Sequence, residues 1–339
     1  MVIGLLGMDG KGGFGSPAGI PRKRCFFVKR PFWIVGLLLL CAGLIWFGTL
    51  TYRAVFASDV VSSTQVEENK RVNSAEIDTI RVQATSTDVQ VTAYDGEQID
   101  VELKGNAAKN GNVELWTEQK GSVLKVEVRM KRKLFFSFSS SLDLVIKVPE
   151  KEFDEIRVQT VSGDQELSGL QTKELGTESV SGDVTVQNST GKTSVKTVSG
   201  EQTLEKIQGD SLTAASTSGT IQVRESDYTT LSLKSVSGDL VLEDVSGETT
   251  AKTTSGNLDV ELIKMVPVSA HSVSGDIQVI TPQEAVYEVK GKTVSGSIRT
   301  NSKDFQVVDS SKGHYSGNTG KEGPVIDVET VSGNIEIGD

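Results

Sequence analysis

A four-residue motif, Val-Ser-Gly-Asp or a close variant, recurs nine times between residues 161 and 334 of this 339-residue chain. From the first motif glycine to the seventh, successive glycines are 18 or 19 residues apart. A unit this short cannot bury an apolar face alone, so regularly repeated copies stack as the coils of a solenoid. The nine glycines, which we interpret as structural turn residues, are Gly163, Gly182, Gly200, Gly219, Gly238, Gly256, Gly275, Gly296 and Gly333.

The positions around each glycine predict how one coil is built. In most copies the second and fourth residues after it are apolar and the residue between them is polar, as in a strand with one buried face. Gln165 and Gln202 are exceptions in the first of these columns. A further apolar column, seven residues before the glycine, marks a second strand. The sequence therefore predicts an all-β fold, a parallel β-solenoid with 18–19-residue coils.

A hydroxyl side chain stands three residues before the glycine in all nine copies. Strand parity turns this column inward, where a hydroxyl without a partner costs about 1–3 kcal/mol. We expect the hydroxyls of successive coils to bond to one another as a ladder with a structural role.

The repeat region, residues 151–339, has irregular neighbours at both ends. Residues 76–150 alternate between apolar and polar but lack the glycine motif, which predicts a strand-rich part that caps the solenoid. Between Gly296 and Gly333 the spacing is 37 residues. We expect a loop or irregular hairpin over residues 302–323 there.

The N-terminal part contains an uncharged apolar run from Phe32 to Leu50. This length predicts one transmembrane helix over residues 32–52, between a basic cytoplasmic tail (1–31) and a polar stalk (53–75). The basic tail favours a cytoplasmic N-terminus, with the repeat domain outside the cell membrane. The alternative is a cleavable signal peptide, with a cut site after Ala57.

Charge divides unevenly along the chain. Residues 1–53 hold seven of the 35 basic and one of the 45 acidic side chains, so residues 54–339 carry 28 basic and 44 acidic side chains, a net −16. So acidic a domain is not expected to bind nucleic acid. Both cysteines, Cys25 and Cys41, lie in the first 53 residues, so no disulfide is expected within residues 54–339. No catalytic or phosphate-loop motif occurs, and we predict no cofactor.

Two columns are candidates for binding. The turn acids Asp164, Asp183, Glu201, Asp239 and Asp276 follow the motif glycines; turn chemistry explains them, with a weak cation site as the alternative. Four residues before the glycine, an outward column contains Lys196, Lys234, Lys252, His271 and Lys292. This column is either a solvated face or a strip for a repeating anionic polymer.

The lone apolar run, the strand-rich lead-in ending at Val148-Pro149 and the serial Val-Ser-Gly-Asp coils resemble the DUF4097 "putative adhesin" family, and within it the LiaG-like membrane-anchored proteins of Gram-positive bacteria. The resemblance covers residues 76–339. It implies a cell-envelope location, sometimes beside envelope-stress signalling systems, and brings no catalytic residues.

These observations favour a non-enzymatic module of the cell envelope that acts as a scaffold, adhesin or stress-associated protein. Its expected partners are the membrane itself and either an anionic envelope polymer or a membrane stress-sensing protein. The alternative is a β-helix hydrolase or lyase acting on envelope polysaccharide, with a pocket formed by His314 or by acids against the 302–323 segment.

Overall fold

A computed structural model describes residues 63–108, 113–130, 141–311 and 313–339. These residues form 26 β-strands and no helix, and they include no helix long and apolar enough to cross a membrane. The strands are β1 (Ser63–Asn73), β2 (Thr79–Gln83), β3 (Asp88–Tyr94), β4 (Gln98–Ala108), β5 (Val113–Lys120), β6 (Val123–Met130), β7 (Ser141–Pro149), β8 (Glu152–Ser162), β9 (Gln165–Ser168), β10 (Gln171–Ser181), β11 (Val184–Gln187), β12 (Thr190–Ser199), β13 (Gln202–Glu205), β14 (Gln208–Ala215), β15 (Ile221–Arg224), β16 (Asp227–Lys234), β17 (Leu240–Lys252), β18 (Leu258–Leu262), β19 (Val268–Ser274), β20 (Ile277–Ile280), β21 (Glu288–Ser295), β22 (Ile298–Thr300), β23 (Gln306–Asp309), β24 (His314–Asn318), β25 (Val325–Ser332) and β26 (Ile335–Gly338).

Each coil contributes a strand before the motif glycine and a shorter strand after it. The strands before the glycine, such as β8, β10 and β12, pair in parallel to form what we call the long-strand sheet. The strands after it, such as β9, β11 and β13, form the short-strand sheet, also in parallel. The prediction of an all-β stack of parallel coils is confirmed. The predicted membrane helix at 32–52 and the tail at 1–31 lie outside the described residues.

The order of coils in the stack differs from their order in the chain at the distal end, the end formed by the last coils. Strand β25 pairs with both β19 and β21, and β26 pairs with both β20 and β22. The C-terminal coil therefore lies between two coils that precede it in sequence. Within residues 302–323, strands β23 and β24 form an antiparallel hairpin, and β24 pairs antiparallel with β21.

The proximal end, formed by the first strands, is built in a similar way. Strands β6 and β7 lie outside the coil of β2 and β3, which separates them from β8 and β9. Antiparallel strands then cover this end: β5 on β6, β4 on β7 and β1 on β4. Residues 63–73, which the sequence analysis assigned to the stalk, form β1.

The interior follows the predicted columns. Leu240, Leu258 and Ile277 are buried, as are the apolar residues two positions further along each short strand. The two exceptions, Gln165 and Gln202, are also buried, and each Nε2 donates hydrogen bonds to the Oγ1 of a threonine five residues earlier and to a backbone carbonyl. Polar groups of the corner thus satisfy each amide nitrogen, whereas each buried Oε1 has no partner among the described residues.

The inward hydroxyl column bonds in two ways, except at Ser235, whose buried Oγ has no partner among the described residues. Thr160 donates to the Oγ of Ser179 and Thr197 to the Oγ of Ser216, both at 3.2 Å, as the expected ladder requires. Ser272 and Thr330 instead donate to a motif-glycine carbonyl of the neighbouring coil. The column is therefore a structural support of the glycine corner, and a continuous hydroxyl ladder is not formed.

The motif glycine is required by both its backbone angle and its neighbour. At Gly238, φ is +151°, and a Cβ would lie 2.2 Å from the carbonyl oxygen of Gly219 in the adjacent coil. The coil of β2 and β3 reaches the same corner without glycine: Ser86 bridges to Ser162, and Thr87 lies beneath Gly163. Residues 85–88 are thus a further copy of the motif that the glycine spacing did not reveal.

A second corner, between a short strand and the next long strand, has Gly169 in one coil and non-glycine residues in the four coils that follow. Asn188, Lys206, Glu225 and Asp244 adopt positive φ angles of 46–55° there. This left-handed conformation costs a non-glycine residue about 1–2 kcal/mol, and the cost is compensated elsewhere in the coil.

Substitutions at the two corners should differ in their effect on the free energy of unfolding. Gly238→Ala should lower the free energy of unfolding by about 2–4 kcal/mol, because the added Cβ meets a backbone oxygen that cannot move independently. Glu225→Gly should leave stability within about 1 kcal/mol of the parent, because relief of backbone strain offsets the entropy cost of glycine. Urea unfolding followed by circular dichroism measures both. Equal losses at the two sites would contradict this account.

Candidate binding surfaces

The basic column lies on the outward face of the long-strand sheet. In the stack, Lys196, Ala215, Lys234, Lys252 and His271 are successive register partners on neighbouring strands. The next partner is Glu329, from the inserted C-terminal coil, and Lys292 follows it. The predicted column is therefore interrupted, and Lys292 is separated from the other four residues by an acid.

Five adjoining strand segments around these residues carry no acidic side chain at their outward positions, although Asp210 and Glu248 lie exposed on the same strands just before the segments begin. The five segments are 194–198, 213–217, 232–236, 250–254 and 269–273. We use the name basic face for the first, third and fifth residues of each segment. All fifteen are exposed or half-buried, and none is acidic. In a domain of net charge −16 this is an unusual absence. Glu178 on one side and Glu329 on the other bound the face.

Ion pairing differs along the column. Lys196 Nζ lies 3.7 Å from Glu178, and Lys292 Nζ lies 2.5 Å from Glu329. In the part of the chain that the structure describes, Lys234 and Lys252 form no ion pair and are exposed. These two lysines on adjacent strands are thus the positive charges that remain available to a ligand.

Glu329 lies near three basic side chains at the distal end of the column: Lys292, His271 and His314. The hydrogen bond from Lys292 holds the pKa of its carboxyl below the usual range, and His271 and His314 add to this effect. His271 Nδ1 lies 3.9 Å from Glu329, while its Nε2 is 2.8 Å from the Oγ of Ser269. Both histidines of the chain therefore lie near one ionised carboxylate.

A shallow pocket of about 300 Å³ adjoins this cluster. Its lining includes His314 and Asp309 of the hairpin, together with Asp327, Glu329 and Lys292. This is the arrangement of His314 and acids that the hydrolase alternative requires. A general acid, however, needs a raised pKa, whereas the pKa of Glu329 is lowered.

The turn acids form a hydrogen-bonded row at the glycine corner. The Oδ1 of Asp88 accepts from the backbone N–H of Asp164, and Asp164 accepts in the same way from Asp183. Asn257 occupies the row in one coil and accepts from the N–H of Asp276 at 3.0 Å. Because an amide serves as well as a carboxylate, the row has a structural role.

Two grooves run beside this row on the short-strand sheet. One, of about 590 Å³, is lined by residues that include Asp88, Asp143, Asp164, Glu166 and Asp183. The other, of about 400 Å³ near the distal end, includes Asp259 and Asp276. Burial and the nearby Asp239 raise the pKa of Asp259. The described residues contain no group of three or more His, Cys, Asp or Glu side chains arranged to hold a metal ion.

Comparison with known proteins gives one family. The model of the Toastrack DUF4097 family matches residues 77–338, from the start of the β2 coil to β26. No curated protein matches the chain.

Several solved structures are similar to it at low identity. A putative lipid binding protein from Parabacteroides distasonis ATCC 8503 is 16% identical over 80% of this chain and 96% of its own, with a TM-score of 0.48. A putative adhesin from Bacteroides fragilis NCTC 9343 is 13% identical over 82% and 98%, with a TM-score of 0.44.

Two substitutions of Asp183 test whether the acid row depends on charge or on hydrogen bonding. Asp183→Asn should change the free energy of unfolding by less than about 0.5 kcal/mol, because the amide oxygen still accepts from the Glu201 N–H. Asp183→Ala should cost about 1 kcal/mol, because that donor loses its partner. Thermal unfolding with and without millimolar Ca²⁺ checks the cation alternative. A Ca²⁺-dependent rise in Tm that Asp183→Asn removes would establish a cation site instead.

Proposed function

We propose, from the premise that this chain belongs to the Toastrack DUF4097 family, that its coil domain is a non-enzymatic module of the cell envelope that binds an anionic polymer. The binding surface is the basic face. The observation that supports this proposal is the absence of acids from fifteen adjoining outward positions in a domain of net charge −16.

The geometry of the face suits a polymer better than a small anion. Lys196, Lys234, Lys252 and His271 lie along one line in the direction of stacking, and from first to last they span four strand spacings, roughly 19 Å. No pair of them encloses a ligand, so each contact is weak. A polymer parallel to the stack makes several such contacts at once, and their free energies add through effective concentration.

Electrostatics sets the conditions for binding. Exposed charges are screened over about 10 Å at moderate ionic strength, so affinity falls as salt rises. The acidic surroundings repel polyanions from the rest of the domain and leave the basic face as the place of approach.

The proposed function includes a membrane anchor for the coil domain. A single membrane helix over residues 32–52, with residues 1–31 in the cytoplasm, would hold the coil domain at the outer surface of the cell membrane, next to the envelope. A membrane stress-sensing protein is the other partner consistent with this position.

The hydrolase or lyase alternative has one observation in its favour, the pocket that contains His314, Asp309, Asp327 and Glu329. It predicts turnover of envelope polysaccharide that His314→Ala abolishes. Binding without turnover is the result expected from the proposed function.

Charge reversal on the basic face tests binding. The double variant Lys234→Glu/Lys252→Glu should lower affinity for long-chain polyphosphate, and for purified anionic envelope polymer, by roughly tenfold or more at low salt. The fold should be retained, because both side chains are exposed. Lys303→Glu/Lys321→Glu makes the same charge change at exposed sites away from the face and should bind like the parent. If both double variants bind these polymers with equal affinity, the proposal is wrong.

Localisation is tested on intact cells. Protease treatment should release a fragment that contains residues 63–339 and leave the N-terminal part in the membrane fraction. Protection of the domain would contradict an outward orientation. A mature N-terminus at Ser58 would replace the anchor by a cleaved signal peptide.

A further inference from the structure

The first residue of the motif forms an exposed apolar column. The motif valines at 161, 180, 198, 236, 273, 294 and 331 expose 38–72% of their surface, although they border a fully packed interior. In stack order they lie on successive layers, with Thr217 and Thr254 in two coils and Thr85 in the coil of β2 and β3. The sequence pattern does not predict this column, because alternation alone does not distinguish a corner position from a buried one.

Folding alone does not require valine at this position. Strand ends favour β-branched residues, and threonine, which is β-branched and polar, occupies the position in three coils. If this column were only exposed to solvent, threonine would satisfy the strand preference in every coil without exposing an apolar side chain. A row of apolar side chains kept in solvent marks an interaction surface.

In three coils, opposite charges flank the column on its two sides, whereas in the coil of Val180 both flanking residues, Glu178 and Asp183, are acidic. The basic column lies two residues before the valine on the long-strand sheet, and the turn acid follows three residues after it, beyond the corner. One coil thus presents Lys196, Val198 and Glu201. Another presents Lys234, Val236 and Asp239, and a third presents His271, Val273 and Asp276.

We propose that the valine column is the contact of a homodimer whose two-fold axis is parallel to the stacking direction. Such an axis places each coil opposite the same coil of the second copy and exchanges the two flanks. Lys196 then faces the Glu201 of the other copy, and Lys234 faces its Asp239. A two-fold axis perpendicular to the stack would instead bring lysines opposite lysines.

The size of the contact predicts a weak dimer. Ten layers at about 4.8 Å give a length of roughly 45 Å, and the four motif residues, at about 3.3 Å each, extend at most about 13 Å across the corner. The dimer would bury on the order of 1,000 Å² in total, at the lower limit of specific interfaces. Association should therefore depend on concentration and on salt, as expected of a reversible contact.

This inference does not rest on polymer binding, but the two share lysines. A polyanion on the basic face competes with the acid row of the second copy. Polyphosphate should therefore shift the dimer towards the monomer, whereas a domain that binds no polymer can still dimerise.

Crosslinking tests the arrangement directly, because the only native cysteines are Cys25 and Cys41. In a detergent-solubilised full-length chain carrying Cys25→Ser and Cys41→Ser, the variants Val180→Cys and Val273→Cys are each treated with a short thiol crosslinker. Each variant should crosslink to itself. A mixture of the two, distinguished by a size tag, should give no crosslinked 180–273 pair. Glu261→Cys, exposed on the short-strand sheet, is the control and should not crosslink.

Three further variants separate the apolar contact from the charges. Changing the valines at 180, 198, 236 and 273 to threonine should raise the dimer Kd at least tenfold in sedimentation equilibrium with the fold unchanged. Lys196→Glu should weaken the dimer, and adding Glu201→Lys should restore it, because the exchanged charges face each other again.

A monomer at all attainable concentrations would overturn the proposal. So would crosslinking between positions 180 and 273, or a threonine variant that dimerises like the parent. Failure of polyphosphate to bind, with self-crosslinking intact, would overturn the polymer proposal alone.

Discussion

The close approach of backbones at the glycine corner fixes the rest of the structure. From Gly182 onward, the carbonyl oxygen of the motif glycine in the adjacent coil occupies the space that a Cβ would need. The distance is 2.2 Å from a Cβ on Gly200 to the oxygen of Gly182, and 2.2 Å from a Cβ on Gly238 to the oxygen of Gly219. A coil that stacks on the one before it therefore needs glycine at this position, whereas the coil beneath Gly163 presents Thr87 there. Once this register is fixed, the positions on either side of the corner lie above their counterparts, and the 18- and 19-residue coils differ by register shifts farther from the glycine, such as the one between Gln171 and Glu174. Each column near the corner thus becomes a row on the surface or in the core.

This register also determines what the surface can do. A solenoid whose turns are short offers no deep cleft, so its binding capacity lies in rows of weak, repeated contacts. Lys234 and Lys252 on adjacent strands have the spacing of the coils, and so do the motif valines. A partner that matches this spacing, whether a charged polymer or a second copy of the chain, gains from every coil it meets.

The sequence was sufficient for the coil but not for the order of the coils. The burial of Leu240 and Ile277 and the inward hydroxyls follow from local alternation, which is visible in one copy of the motif. The insertion of β25 between β19 and β21 is not visible there, because an inserted coil and a terminal coil have the same pattern. The copy at Thr87 was missed for a related reason: its backbone fits the corner without the glycine by which copies were recognised.

The order of the coils matters for function because it decides which charges are neighbours. In chain order Lys292 follows His271 and would extend the basic column. In the stack, Glu329 lies between them and takes the hydrogen bond of Lys292. The inserted coil thus ends the acid-free face at His271, as Glu178 ends it beyond Lys196. A row limited by acids at both ends has a defined length and a defined number of contacts, which an unbroken column of repeats would not have.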